Sequence, residues 1–206
     1  MKLLGQPGSI NVRKVLWTCA ELGLSLERED WGGDTRSTSD PAFLAINPGG
    51  MVPVLVDGQL VLSQSNAICR YLAAREGRRD LLPVGAGERA VVEVWMDWQA
   101  SELNNAWRVA FMGRVRKLPD FQDPQAQAAS IDAWNAAMTL LDRHLDTSGA
   151  YVCGDTFTLA DIVLALSTNR WECTPMDRPG LPALAAWMQR LSGRPGFAAH
   201  CRNGIS

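Results

Sequence analysis

Asn47-Pro-Gly-Gly-Met-Val-Pro-Val-Leu-Val-Asp-Gly-Gln-Leu-Val-Leu-Ser-Gln-Ser-Asn-Ala-Ile-Cys-Arg-Tyr-Leu72 is the stretch that decides the fold. It reads as loop, strand, turn, strand and helix. Asn47-Pro-Gly-Gly50 carries structure breakers at nearly every position and is a loop. Val52-Pro-Val-Leu-Val56 is a β-branched run with its proline at the entrance, where a missing N–H is tolerated. Asp57-Gly58 is a strong hairpin signal, and Leu60-Val-Leu62 is the returning strand. Ser-Gln-Ser then opens a helix whose Ala67, Ile68, Tyr71 and Leu72 repeat at helical spacing.

A helix opening there presents free backbone N–H groups and the positive end of its dipole, with Ser63 and Ser65 as N-cap residue types. Such an end accepts an anion. The strand entrance at Val52-Pro53 lies beside it if the hairpin closes. The stretch thus offers an open strand edge for an extended, peptide-like ligand and a helix end for that ligand's carboxylate. An ordinary hairpin followed by a capped helix has the same pattern, and the residues alone leave both readings open.

Working outward, the N-terminal side supplies strand, helix and strand. Met1–Leu4 is a short apolar strand and Gly5–Ser9 a turn. Asn11–Gly23 is a helix with Val12, Val15, Leu16, Cys19, Ala20 and Leu22 as its buried stripe and Gly23 as its stop. Leu24–Glu29 alternates as a strand, and this unit makes parallel strands. A polar loop over 31–39 leads to a short helix with Asp40 at its N-cap and Pro41 at its first turn.

On the C-terminal side, strand signals vanish after a linker at 77–87. Four helical patterns follow: Glu88 to about Lys117, Pro124 to about Leu145, Leu159 to about Trp171, and Leu181–Leu191. Trp107 and Trp134 read as core. A β/α half followed by an all-helical half predicts two domains, 1–76 and 88–206. Thr158-Leu-Ala-Asp161 is a capping box, with Phe157 and Ile162 placed for a hydrophobic staple.

Composition bounds the function. The chain has 206 residues, 47% hydrophobic and 20% charged, which suits a globular protein with a real core. Its formal net charge of −2 gives no nucleic-acid footprint. No run approaches membrane-spanning length, and the N-terminus lacks the pattern of a signal peptide. The five cysteines are scattered and odd in number, which suits a reducing cytoplasm. His144 and His200 lack ligand spacing, so neither a metal site nor Ser-His-Asp chemistry is expected.

Asn47-Pro48-x-Gly50-x-Val52-Pro53-Val54-Leu55, followed by Gln64-Ser65-Asn66-Ala67-Ile68-x-x-Tyr71-Leu72, resembles the glutathione-binding half of a cytosolic glutathione S-transferase. Gly154-Asp155-x-Phe157-Thr158-Leu159-Ala160-Asp161-Ile162, Trp171 after Arg170, and Leu191-x-x-Arg194-Pro195-Gly196-Phe197 resemble that family's C-terminal domain. The resemblance implies a thioredoxin-like N-terminal domain followed by an all-helical one, a cytoplasmic homodimer, and glutathione as co-substrate. It places Arg70 and Tyr71 at the dimer contact. The Val52-Pro53 peptide is implied to be cis and to pair with the cysteinyl part of glutathione, and Gln64 and Ser65 to hold the γ-glutamyl carboxylate. A basic residue often precedes the Val-Pro in this family. Gly50 and Met51 stand there instead.

Glutathione chemistry needs the thiolate, and a free thiol near pKa ~8.5 is only a few per cent ionised at neutral pH. One hydroxyl aimed at the sulfur contributes roughly 1.5–3 kcal/mol to the anion, or about 1–2 pK units. Ser9, in Pro7-Gly8-Ser9 ahead of the first helix, resembles the catalytic serine of the theta-like and delta-like branches, and Asn11 a supporting amide. From the residues alone, Ser9 reads first as a helix N-cap and Asn11 as a helix-start polar residue. Tyr71 and Tyr151 are the only tyrosines, and Cys19 lies inside the first helix, which disfavours tyrosine- or cysteine-type chemistry.

Trp98, Ser101, Asn105, Arg108 and Met112 recur at helical spacing on the long helix that faces the electrophile in this family. Arg108 adds a cation for an anionic substrate or for the glycyl carboxylate. The expectation is a serine-type glutathione S-transferase conjugating glutathione to a hydrophobic electrophile, with no metal, nucleic-acid or membrane partner. Its rivals are a non-catalytic glutathione-binding or regulatory protein on the same fold, and a glutathione-dependent peroxidase, isomerase or dehalogenase.

Overall fold

The computed structural model describes residues 1–204. The described residues divide into two compact units: Met1–Pro83 joined by residues 194–204, and Val84–Gly193.

The first unit runs β1 (Lys2–Leu4), α1 (Ile10–Leu22), β2 (Glu27–Glu29), α2 (Pro41–Leu44), β3 (Val54–Asp57), β4 (Leu60–Ser63) and α3 (Ser65–Arg75). This is the thioredoxin-like order expected from the sequence. The sheet has strand order β2-β1-β3-β4. β1 is parallel to β2 and antiparallel to β3, with Leu3 opposite Leu55. The Asp57-Gly58 turn closes β3 onto β4, with Gly58 at φ 61, a left-handed backbone that glycine adopts freely. β2 is shorter than the 24–29 alternation predicted. Gly23, at φ 66, ends α1, and Leu24 N still bonds back to Cys19 O, so residues 24–26 bring the chain round.

Leu4, Trp31, Phe43 and Val54 form one apolar cluster of this unit, with Val52 and Val56 against it. α1 is buried over more than the predicted stripe. Val12, Val15 and Cys19 are buried, but Leu16, Ala20 and Leu22 are only half-buried, whereas Arg13, Lys14, Trp17 and Thr18 are inside. Lys14 and Thr18 face α3, where Lys14 Nζ donates to Asn66 Oδ1 at 3.4 Å and Thr18 lies by Cys69, and for Arg13 and Trp17 the cause is a second cover on the helix. Residues from Arg194 return to α1, where Arg194 Nη2 donates to Glu21 Oε2 at 2.5 Å and Arg13 Nη1 to Asn203 Oδ1 at 3.1 Å. Phe197 meets Trp17 edge-on with centroids 5.8 Å apart.

Gly196 is the close approach in that return: a Cβ there would lie 2.1 Å from Trp17 Cδ1. Gly196→Ala is therefore expected to lower stability by about 1–3 kcal/mol. It should also expose residues 194–204 to limited proteolysis. An unchanged denaturant midpoint would show that Trp17 can shift aside at no cost.

The second unit is helical: α4 (Ala86–Trp98), a π turn (Gln99–Leu103), α5 (Asn104–Arg114), α6 (Pro124–Ser148), α7 (Leu159–Cys173) and α8 (Pro182–Leu191). The predicted long helix from Glu88 is thus two helices joined by the π turn. Trp107 and Trp134 are buried as read, beside Met138, Leu141 and Leu145. Nearly every residue of α7 is buried, so its start must satisfy its own N–H groups. Asp161 does this by accepting from Thr158 N at 2.8 Å, which closes the capping box. No helix among the described residues is long and apolar enough to cross a membrane.

Candidate active site

A cavity of about 230 Å³ in the first unit is lined by Asn11, Asn47, Gly49, Met51, Val52, Pro53, Ser63, Gln64 and Ser65. Five of the residues singled out from sequence are therefore brought together: Asn11, Val52, Pro53, Gln64 and Ser65. The strand entrance and the start of α3 do lie side by side. The Val52–Pro53 peptide is cis.

Gln64 has φ 70, one of two non-glycine residues described with positive φ. A non-glycine residue held in this region costs about 1–3 kcal/mol, and such residues gather at ligand clamps. The strain fits a turn that ends β4 and starts α3 within one residue, with Gln64 left exposed over the cavity. Ser65, buried at the first turn of α3, donates Oγ–H to Asn11 Oδ1 at 3.3 Å. That bond links the starts of α1 and α3.

Ser9 lies two residues before Asn11 but is not among the lining residues. It is the N-cap of α1, with φ −78 and ψ 125, yet its side chain makes no capping hydrogen bond. The residue occupies the cap position without its hydroxyl performing the cap, so the hydroxyl remains available for another acceptor. Cys19 is no rival nucleophile. Burial pushes its thiol up to about 12, so it stays protonated at neutral pH.

Sequence reading passed over Asn47 as loop. Its side chain fastens the loop on both sides, since Nδ2 donates to Met51 O at 2.8 Å and Oδ1 accepts from Gly49 N at 3.2 Å. The Asn-Pro-Gly pattern signals such an Asx turn. No Lys, Arg or His stands among the residues lining the cavity. Among the described residues no cluster of His, Cys, Asp and Glu is arranged to hold a metal.

In the second unit, Trp98 and Ser101 line another cavity with Ala90, Glu93, Val94, Asp97 and Glu102. Asn105, Arg108 and Met112 do not line it. The π turn over Gln99–Leu103 inserts about one extra residue, which rotates the helix face by about 100°. The predicted five-residue stripe is thereby split into two groups. The turn is held by Gln99 Nε2, which donates to Asn104 Oδ1 and to Ser167 Oγ, both at 3.0 Å. Arg70 and Tyr71 sit on α3. Tyr71 O–H donates to Asp57 Oδ2 at 2.7 Å, which keeps the phenol protonated above its ordinary range.

Residues 1–74 match the family profile described as Glutathione S-transferase, N-terminal domain, and residues 124–190 match Glutathione S-transferase, C-terminal domain. The chain is 39% identical to Glutathione S-transferase GstB of Escherichia coli strain K12, over 94% of this chain and 93% of that protein. It is 36% identical to Glutathione S-transferase 3 of Zea mays, over 96% and 91%. A crystal structure of the theta class glutathione S-transferase of Xanthomonas axonopodis pv. citri with glutathione bound superposes with a TM-score of 0.91 at 36% identity, over 100% of this chain and 98% of that one. The chain belongs to the glutathione S-transferase family and is a glutathione transferase.

Proposed function

We propose that this transferase holds glutathione in the first-unit cavity, ionises its thiol through the Ser9 hydroxyl with Asn11 in support, and adds the thiolate to a hydrophobic electrophile. The observation that carries the reading is the meeting of the Val52–Pro53 strand entrance with the start of α3 in one cavity, under a strained Gln64. An extended peptide pairs its backbone with the strand edge, and its carboxylate meets the N–H groups and dipole at Gln64–Ser65. The Xanthomonas relative, whose structure contains glutathione, supports the ligand. The electrophile is assigned to the long-helix face. Trp98 and Ser101 border carboxylates there, so a neutral or cationic electrophile is favoured over an anionic one, while Asn105, Arg108 and Met112 stand apart.

Family membership also supports a homodimer using Arg70 and Tyr71. All five cysteines are free, which agrees with a reducing cytoplasm. One observation favours the rival of a non-catalytic glutathione carrier, namely the cavity lining without a cation beside Gly50 and Met51. Conjugation, peroxide reduction and dehalogenation all begin from the same thiolate.

Titrating the thiolate absorbance of bound glutathione against pH tests the reading. A thiol pKa one or more units below that of free glutathione is expected. An unshifted thiol on a bound ligand makes the protein a carrier.

A further inference from the structure

The two sides of the first-unit cavity differ in what they offer an anion. On the α3 side, Gln64 makes no capping bond with its side chain, and the first bond of the helix runs from Ile68 N–H to Gln64 O. The N–H of Ser65 therefore has no carbonyl within the helix, and the positive end of the dipole lies there. On the other side is the loop 47–51, which spends its donors on its own fold. Asn47 N–H goes to Phe43 O at 2.9 Å, Gly49 N–H to Asn47 Oδ1 at 3.2 Å and Gly50 N–H to Asn47 O at 3.0 Å. Asn47 Nδ2 donates to Met51 O at 2.8 Å, and Pro48 has no N–H. Among the described residues, the N–H of Met51 is the one backbone donor of this loop without a partner. The loop at 31–39 packs against it, since a Cβ at Gly50 would lie 3.6 Å from Thr38 O. The single cation of that second loop, Arg36, pairs with Glu29 and lies over the Trp31 ring, 5.1 Å from its centroid.

A carboxylate taken out of water needs donors or a cation, whereas one left in water needs neither. Met51 is 65% exposed, and Pro48 and Gly49 are exposed beside it, so the loop side opens to solvent. A peptide laid along the Val52–Pro53 edge, with its γ-glutamyl carboxylate at the start of α3, turns its opposite end to this loop. We propose that the site reads one carboxylate of glutathione and not the other, so that its thiol substrates include glutathione carrying an amide at the glycyl end. The amide removes a charge that the loop does not pair, and a substituent on it extends into water. The proposal rests on the glutathione pose described above.

The test is calorimetric binding of glutathione and two analogues to the full chain. One analogue is glutathione glycyl amide. The other is 4-aminobutyryl-cysteinylglycine, which lacks only the γ-glutamyl carboxylate. The amide is expected to bind within about threefold of glutathione, and the 4-aminobutyryl analogue to bind weaker by about tenfold or more. Met51→Lys places a cation at an exposed position of the loop, and is expected to tighten glutathione by about two- to fivefold while leaving the amide unchanged. An amide weaker than expected, with the 4-aminobutyryl analogue weak as well, overturns the inference and leaves the pose standing. Met51→Lys acting on glutathione and the amide alike, or on neither, places the glycyl end away from this loop and also overturns the inference. A 4-aminobutyryl analogue bound as well as glutathione, or glutathione not bound at all, overturns the pose and the inference with it.

Discussion

Replacing Ser9 by alanine is expected to lower turnover by about 10- to 100-fold and to raise the pKa of the bound thiol by about 1–2 units, while affinity for glutathione stays within about twofold. One hydrogen bond to a charged acceptor contributes roughly 1.5–3 kcal/mol, and each 1.36 kcal/mol of barrier is tenfold in rate. The binding groups at Val52, Pro53, Gln64 and Ser65 are separate from Ser9, so their contribution survives the change. Stability separates this role from the helix-cap alternative. Loss of a working N-cap costs about 0.5–2 kcal/mol. The Ser9 side chain makes no capping bond. Ser9→Ala is therefore expected to leave the melting temperature nearly unchanged. A variant that melts markedly lower while turning over normally would make Ser9 a cap and remove it from the mechanism.

The second large effect lies in the helical unit. Asp161→Ala is expected to lower stability by about 3 kcal/mol or more, because it leaves several buried donors without a partner at once. Oδ2 accepts from Thr158 N at 2.8 Å and from Thr158 Oγ at 3.3 Å. Oδ1 accepts from Val152 N at 3.0 Å and from the Trp187 indole N–H at 2.9 Å. One carboxylate thereby joins the loop before α7, the start of α7 and the middle of α8. Burial pushes its carboxyl up from the ordinary value, and the hydrogen bonds from Val152, Thr158 and Trp187 oppose that push. For a chain of this length such a loss corresponds to a melting temperature lower by about 6–12 °C. Asp161→Asn keeps one acceptor oxygen and should fall between the two. A loss below about 1 kcal/mol for the alanine variant would mean that water reaches and satisfies these donors.

Much of this was legible in order along the chain. The capping box at Thr158 and Asp161 is a local pattern, because each member lies within one helical turn of the other. Its tie to Trp187, twenty-six residues away, carries no local mark. The hairpin at Asp57-Gly58 and the stop at Gly23 were readable because turn chemistry acts on one or two residues. The π turn at Gln99–Leu103 was not readable, since it is held by Ser167 on another helix. It splits a stripe that helical spacing alone would keep whole.

The sequence by itself determined the element order of the first unit, the two kinds of folding unit, the family and the motif residues around Val52 and Ser65. Those follow from periodicity, turn residues and short motifs, all of which act over a few positions. Tertiary structure alone decided that Arg13 and Trp17 are inside, because residues 194–204 return to cover α1, and that Lys14 is inside, because α3 packs on its side of the helix. It also decided that Asn11 meets Ser65 and Lys14 meets Asn66, contacts spanning 54 and 52 residues. The physical reason is common to both. Burial and charge environment depend on which distant segments cover a residue, and neither hydropathy nor spacing encodes that.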